Sequence, residues 1–310
     1  MNRSFLRSAI ASDSNPHARS NGLRRLVRSL VVLWLSMASV GAAGADLTAL
    51  AGSVERVERD LNARLGVLVR EIGTGAVWAY RADERFLMNS TVKVLICAAI
   101  LDRVASGEID LDQLMQVEQA DLILHAPLTE QRVGDTVSVE EGCAAAIDLS
   151  DNTAANLLLE RLGGPRKVTA FLRRIGDQTT RLDRMEPALN EWAEGDVRDT
   201  TTPTAMLATL EAVLLGDALD AEGRERLRAW MSTGAYTGAF VRAAAPDTWE
   251  IADKSGAGTV TRTYVALVTP PDREAWLIGV FLSEAEADFA TRNAAVTSVT
   301  AAVVEALAVH

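Results

Sequence analysis

Ser90-Thr91-Val92-Lys93, followed without a break by Val94-Leu95-Ile96-Cys97-Ala98-Ala99-Ile100-Leu101, is the stretch on which the reading of this chain turns. A helix places residues i and i+3 on one face, so a helical segment here brings the side chains of Ser90 and Lys93 together. The run behind them is apolar nearly all round, the pattern of a helix buried on every side. A lysine that starts inside such a helix is costly to keep charged, and burial lowers its pKa toward the range where a neutral amine accepts a proton. Arginine cannot take that part. Of the 31 basic residues only Lys93, Lys167 and Lys254 are lysines, and Ser-x-x-Lys occurs once. Read alone, the tetrapeptide is an ordinary helix carrying a surface Ser and Lys, so its weight depends on its partners elsewhere in the chain.

The first 45 residues stand apart. Residues 1–28 hold six arginines and one acid, Leu30-Val31-Val32-Leu33-Trp34-Leu35 opens an apolar run, and the run ends in Ala43-Gly44-Ala45. That order is the signature of a secretory signal peptide cleaved before Asp46. As a membrane anchor the run falls short of a comfortable span. Arg24-Arg25 is compatible with twin-arginine as well as ordinary export. The 310 residues, 48% hydrophobic and 24% charged, suffice for one large domain or two smaller ones after the leader. Without the leader the chain carries 25 basic and 41 acidic residues, a net charge of −16. Such a charge argues against a nucleic-acid partner and for a soluble monomer, and it requires a local cationic site if the substrate is an anion.

Cys97 and Cys143 are the only cysteines. In an exported chain an isolated pair is most simply one disulfide, worth roughly 4 kcal/mol in the chain-entropy model, with two buried thiols as the alternative. Of three histidines only His125 belongs to the folded body, too few for a zinc site, so no metal or other cofactor is expected. A Ser-His-Asp triad would have to use His125 and would leave Lys93 without a role.

Leu47, Leu50, Val54, Val57 and Leu61 predict an amphipathic helix over 47–62. Leu65–Ile72 and Ala76–Tyr80 around Gly73-Thr74-Gly75 predict a hairpin. The pattern is helical from Ser90 to about Leu215 and again near Leu227–Met231. Strand character returns at Trp249–Ile251, Thr263–Val268 and Trp276–Leu282, before a long Ala/Val-rich helix over 287–309. The expected fold is therefore α/β plus all-α: an antiparallel five-stranded sheet flanked by the N- and C-terminal helices, with a large helical domain inserted. Residues 46–82 and 235–310 form the first domain and 83–234 the second, which carries a catalytic loop over 181–199.

Ser150-Asp151-Asn152 precedes the apolar-periodic Ala155, Leu157, Leu158 and Leu159, so it sits at a helix N-terminus, where capping alone accounts for such residues. Lys254-Ser255-Gly256 follows the strand-like Trp249–Asp253 and reads locally as a strand-end turn, with Gly256 and Gly258 open to close approach. Taken together and in this order, Ser-x-x-Lys, Ser-Asp-Asn and Lys-Ser-Gly resemble the motif set of the serine β-lactamase and penicillin-binding-protein superfamily. Glu186-Pro187-Ala188-Leu189-Asn190 resembles the Glu-x-x-Leu-Asn loop of class A β-lactamases, with Arg184 and Asp199 where that family has the ion pair closing the loop. Phe86-Leu87-Met88-Asn89, Asp199-Thr200-Thr201-Thr202-Pro203 and Asp253 to Gly258 extend the resemblance over residues 46–310.

The resemblance implies the roles. Ser90 attacks the carbonyl of a β-lactam to give an acyl-enzyme, with Lys93 or Glu186 acting through water as the base. The N–H groups of Ser90 and Ala257 form the oxyanion hole. Ser150 delivers a proton to the leaving nitrogen. Asn152 binds the acylamide side chain, Lys254, Ser255 and Gly256 receive the substrate carboxylate, and Glu186 with Asn190 activates the hydrolytic water. Cys97 and Cys143 stand where many members have a disulfide, and the Glu186–Pro187 bond is cis in the family. His125 replaces an aromatic at the pocket mouth and is read as a substrate-contacting ring. Arg262 matches a carboxylate-assisting arginine if the chain is one residue shorter before it. Val92 replaces an aromatic, and Asn89 and Gly258 exclude the extra disulfide of class A carbapenemases. The expected activity is hydrolysis of penicillins and early cephalosporins by a periplasmic or secreted enzyme, conferring resistance. A D-alanyl-D-alanine peptidase and a non-catalytic β-lactam sensor are the alternatives, against which Glu186 and Asn190 stand.

Overall fold

A computed structural model describes residues 48–308, and the leader expected over 1–45 lies outside these described residues. Helix α1 (Thr48–Leu61) buries Leu50, Val54 and Val57 along one stripe, at the spacing of three and four read from the sequence. Strands β1 (Arg64–Glu71) and β2 (Val77–Tyr80) follow as an antiparallel hairpin. The chain then leaves this sheet. It builds β3 (Phe86–Leu87), α2 (Val92–Ala105), β4 (Leu114–Gln116), β5 (Thr136–Ser138), α3 (Val139–Ile147), α4 (Asn152–Leu162) and α5 (Pro165–Arg174). After a long loop come β6 (Thr200–Thr201), α6 (Pro203–Leu214), α7 (Ala221–Ser232) and the short α8 (Val241–Ala244). The sheet resumes with β7 (Glu250–Ala257), β8 (Arg262–Thr269) and β9 (Trp276–Ser283), and α9 (Phe289–Ala308) closes the described chain.

The five long strands run in the order β2-β1-β9-β8-β7, every neighbour antiparallel, so the first and last strands of the chain pair in the middle, Val67 opposite Val280. Side chains alternate between faces along a strand. Val67, Val69, Ala266, Ile278 and Val280 therefore share a core with α1 and α9, while Leu68, Val265, Leu267, Leu277 and Phe281 face the helical body. Helix α2 runs through that body with every residue from Val92 to Leu101 buried, which is why its sequence shows no polar face. The α/β sheet with a helical insertion expected from the sequence is the architecture observed.

Four local expectations change. The insertion is not wholly helical: β3 pairs with β6 and β4 with β5, in ladders of two and three residues too short to leave a periodic signal. Ser90 lies on a 3-10 turn, Asn89–Thr91, that precedes α2. Lys254-Ser255-Gly256 belongs to strand β7 rather than to a turn after it. Its polar composition imitates a turn because this edge strand presents it to the helical body. Cys97 on α2 and Cys143 on α3 are buried free thiols, the Cys97 thiol donating to the Cys143 carbonyl oxygen at 3.8 Å, so the expected disulfide is not formed in this structure. Burial, reinforced by the neighbouring Cys97, pushes the Cys143 thiol well above the ordinary range.

Candidate active site

Three segments meet between the sheet edge and the helical body. The first is the 3-10 turn carrying Ser90, which runs into α2 and puts Lys93 one turn on, fully buried. The second is the entry to α4. Asp151 caps it, accepting from Ala154 N, and also accepts from the N–H groups of Leu128 and Thr129, which ties the loop carrying His125 to this helix. The third is β7, the outermost strand, whose free edge leaves backbone groups available to a ligand. A Cβ on Gly256 would come within 2.7 Å of Ser90 N, so glycine is what lets the strand lie against the serine turn.

Lys93 is the hub. Its Nζ donates to the Ser150 carbonyl oxygen (2.8 Å) and to Asn152 Oδ1 (2.6 Å), reaches Ser150 Oγ at 3.4 Å, and lies 3.2 Å from Glu186 Oε1. The two charged side chains are wholly removed from solvent. Burial lowers the lysine's pKa, and the carboxylate of Glu186 offsets part of that fall. Although close enough for an ion pair, Glu186 Oε1 makes no hydrogen bond of acceptable geometry among the described residues. Its other oxygen, Oε2, accepts from Asn190 Nδ2 at 2.6 Å. Lys254 Nζ reaches Ser150 Oγ from the opposite side at 3.1 Å, so the Ser150 hydroxyl sits between two lysines. Burial first, then the charges of Lys93 and Arg262, hold Lys254 well below the ordinary lysine value.

The loop before β6 delivers Glu186. Between α5 and Thr200 the only helical turn among the described residues is the 3-10 segment Ala188–Asn190. Asp199 closes the loop, pairing with Arg184 and accepting from the N–H groups of Asp183 (2.7 Å) and Arg184 (2.9 Å). Arg184 also donates to the Glu191 carbonyl. The Glu186–Pro187 bond is cis. Four of the eight non-glycine residues with positive φ among the described residues, Asn89, His125, Ser150 and Asp199, lie around the site. Such backbone costs about 1–3 kcal/mol per residue and gathers where function imposes it.

Ser255 and Ala257 lie along β7 beside Lys254. The exposed ring of His125 meets Tyr236 edge-on at 5.3 Å, across the mouth of the site. Arg262 is 5% exposed and behind the strand, donating to the Gly256 carbonyl (2.7 Å) and to Asn293 Oδ1. Burial and the charge of Arg292 lower its pKa to about 10. Two supports escaped the sequence reading. Asn156 clasps Glu186 by both backbone groups, accepting from its N–H and donating to its carbonyl, each at 2.9 Å. Its place four residues after Asn152 on one helix face was the available signal. Asn89 bridges Asn190 and Thr261, which links the Ser90 turn to the Glu186 loop.

No cluster of three or more His, Cys, Asp or Glu among the described residues is placed to hold a metal ion, and no described helix is long and apolar enough to cross a membrane.

Comparison with known proteins agrees with this geometry. A sequence model of the Beta-lactamase enzyme family matches residues 49–307. A β-lactamase of Rhodobacter capsulatus is 50% identical over 88% of this chain and 94% of its own length, and the β-lactamase AER-1 of Aeromonas hydrophila is 42% identical over 82% and 84%. Among solved structures, an ancestral class A β-lactamase (48% identity) superposes with a TM-score of 0.80 over 83% of this chain and 99% of that one. A β-lactamase from Xanthomonas campestris pv. campestris (43% identity) gives 0.81 over 83% and 97%. With that likeness spread over the whole described fold, the chain belongs to the class A serine β-lactamases.

Proposed function

We propose that this enzyme hydrolyses the amide bond of penicillins, and of early cephalosporins, through an acyl-enzyme on Ser90. The observation that carries the reading is the Lys93–Glu186 pair, 3.2 Å apart and fully buried, with Asn190 holding the second carboxylate oxygen. Lys93 Nζ already donates to Ser150 O and Asn152 Oδ1 and faces a carboxylate, the surroundings of an ammonium. With Oε2 held by Asn190, Glu186 is the base of deacylation, and Lys93, whose pKa burial lowers, can take the Ser90 proton in its place during acylation.

In acylation, Glu186 takes the Ser90 proton through a water while Ser90 Oγ attacks the lactam carbonyl, whose oxygen gains negative charge between the N–H groups of Ser90 and Ala257. The ring C–N bond then breaks as Ser150 Oγ protonates the departing nitrogen; the proton taken from Ser90 returns to Ser150 through Lys93, leaving Glu186 ionised, with Lys93 and Lys254 on either side to keep the potential positive. Lys254 and Ser255, aided by the charge of Arg262, receive the substrate carboxylate. Asn152 binds the acylamide group, and His125 contacts the substituent at the mouth. In deacylation Glu186 removes a proton from the water that attacks the ester and passes it to Ser90 Oγ as the ester C–O bond breaks, which restores both the serine hydroxyl and the carboxylate. Export through the leader to the periplasm or medium, action as a monomer, and closure of Cys97–Cys143 once the chain reaches an oxidising compartment complete the proposal; the leader's residue order and the net charge of −16 support it.

The test is turnover of a chromogenic cephalosporin by the purified mature chain. Many turnovers per active site are expected. Glu186→Ala should accumulate a covalent adduct of a penicillin, seen by mass spectrometry, with deacylation slowed about 10²–10⁴-fold, and Ser90→Ala should form none. Consumption of one equivalent by the parent enzyme with a stable adduct would overturn the reading.

A further inference from the structure

Behind the outer strand two arginines are buried without a carboxylate in ion-pair contact among the described residues. Arg262 and Arg292 are 5% and 6% exposed, and neither forms an ion pair among the described residues. An isolated buried cation is expensive and needs hydrogen bonds to hold it. Both spend theirs on the same piece of backbone. Arg262 Nη1 donates to the Gly256 carbonyl oxygen at 2.7 Å, and Arg292 Nη2 donates to the Gly258 carbonyl oxygen at 3.1 Å. Arg292 also donates to the Ala287 carbonyl, while its Nε–H is buried with no acceptor. Asn293, next to Arg292 on α9, accepts from Arg262 Nε and Nη2 (3.1 and 3.0 Å).

The consequence follows from peptide geometry. The Gly256 carbonyl and the Ala257 N–H are the two ends of one planar unit and point in opposite directions. An arginine that fixes the first therefore aims the second. Two peptide units further on, on the other side of Ala257, Arg292 holds the Gly258 carbonyl, at a residue where a Cβ would meet Asn89 Nδ2 at 3.0 Å and the Asn190 carbonyl oxygen at 3.1 Å. We propose that Arg262 and Arg292, anchored through the first turns of α9, form a clamp on the carbonyls flanking Ala257 that sets the direction of its N–H, making both positioning residues for the oxyanion hole. Charge-assisted bonds to backbone oxygens are the stiffest tether available here, since both guanidinium groups stay protonated at neutral pH. This inference rests on Ser90 acylation and on the Ala257 N–H as oxyanion donor.

The experiment reads the hole directly. In a Glu186→Gln background, the enzyme acylated with a penicillin carrying ¹³C at the lactam carbonyl is examined by infrared difference spectroscopy, and the ester stretch reports how strongly the hole polarises the carbonyl. Adding Arg292→Gln or Arg262→Gln should move the stretch to higher wavenumber. In the otherwise unaltered enzyme, Arg292→Gln should lower kcat about tenfold, part of what removal of a whole oxyanion donor costs, with KM unchanged. Arg262→Gln should in addition raise KM through the lost carboxylate charge. Arg292→Lys should recover part of kcat, and it carries the test if the glutamine variant does not fold. Arg273→Gln, which removes an arginine bond to the Leu307 carbonyl at the far end of α9, is the control and should leave the stretch in place. A normal adduct with unmoved stretch in both arginine variants overturns the clamp alone. Failure of Glu186→Gln to form any adduct overturns the catalytic reading and the clamp with it.

Discussion

Lys254 Nζ donates to two neutral oxygens, Ser150 Oγ and the Ser255 carbonyl, and pairs with no carboxylate among the described residues. It is 2% exposed, and burial together with the charges of Lys93 and Arg262 outweighs the opposing carboxylates of Asp253 and Glu186. The proposed substrate carboxylate would offset that net penalty, and in its absence the buried charge works against the fold. Lys254→Met should therefore abolish turnover while stabilising the protein at pH 7 by about 1–4 kcal/mol, the range seen when buried charges give way to apolar groups. The pH dependence has a definite sign. Because the folded-state pKa lies below the unfolded value, the unfolded chain binds more protons between the two, and the penalty present at neutral pH fades as pH rises toward about 10.4. Chemical denaturation of parent and variant at pH 7 and pH 10 checks this: the gap should narrow, and a constant gap would refute the electrostatic account. Such residues were legible early, because three lysines among 31 basic residues single themselves out. What composition could not carry was direction, since nothing near Arg262 in the sequence says that its guanidinium faces the Gly256 carbonyl.

At the scale of elements, the loop from Arg181 to Asp199 is shaped by side chains rather than by a helix or a sheet. Asp199 supplies the Arg184 ion pair and accepts two backbone N–H bonds, while Asn156 holds Glu186 from the α4 side. Asp199→Asn suits the positive φ of 58° and keeps the shape, but it removes the charge from a residue 1% exposed. It should cost about 1–3 kcal/mol, the price of a weakened buried bond, and it should slow deacylation more than acylation, because Ser90 lies on another element. Stopped-flow separation of the two steps tests this; equal slowing of both would place the loop's influence elsewhere. The sequence disclosed this loop only through its likeness to a known motif, since irregular backbone carries no period. The strands and outer helices declared themselves by alternation and by three-four spacing, whereas ladders as short as β3–β6 have too few residues to do so.

For the whole molecule, Cys97 and Cys143 join α2 to α3 beneath the site, close enough for one thiol to reach the other's carbonyl oxygen. The proposed Cys97–Cys143 bridge would leave no free thiol and stabilise the enzyme by roughly 4 kcal/mol over its reduced form. Labelling under non-reducing denaturation should find no reactive cysteine, and a reductant should lower the melting temperature; two labelled sites in exported protein would rule the bridge out.

The sheet has a temporal side as well. β1 takes its inner partner, β9, from more than 200 residues downstream, Val67 pairing with Val280. Contacts so distant in sequence form slowly, because a long loop must close before any of them is rewarded. A ribosome that has just synthesised Lys254 has already made Ser90, Lys93, Ser150 and Glu186, and yet β8, β9 and α9, which hold the outer strand against the serine, do not exist. Hydrolytic competence therefore arrives only with the last few dozen residues of the chain, and a truncated product ending before β9 would contain every reacting side chain without being an enzyme.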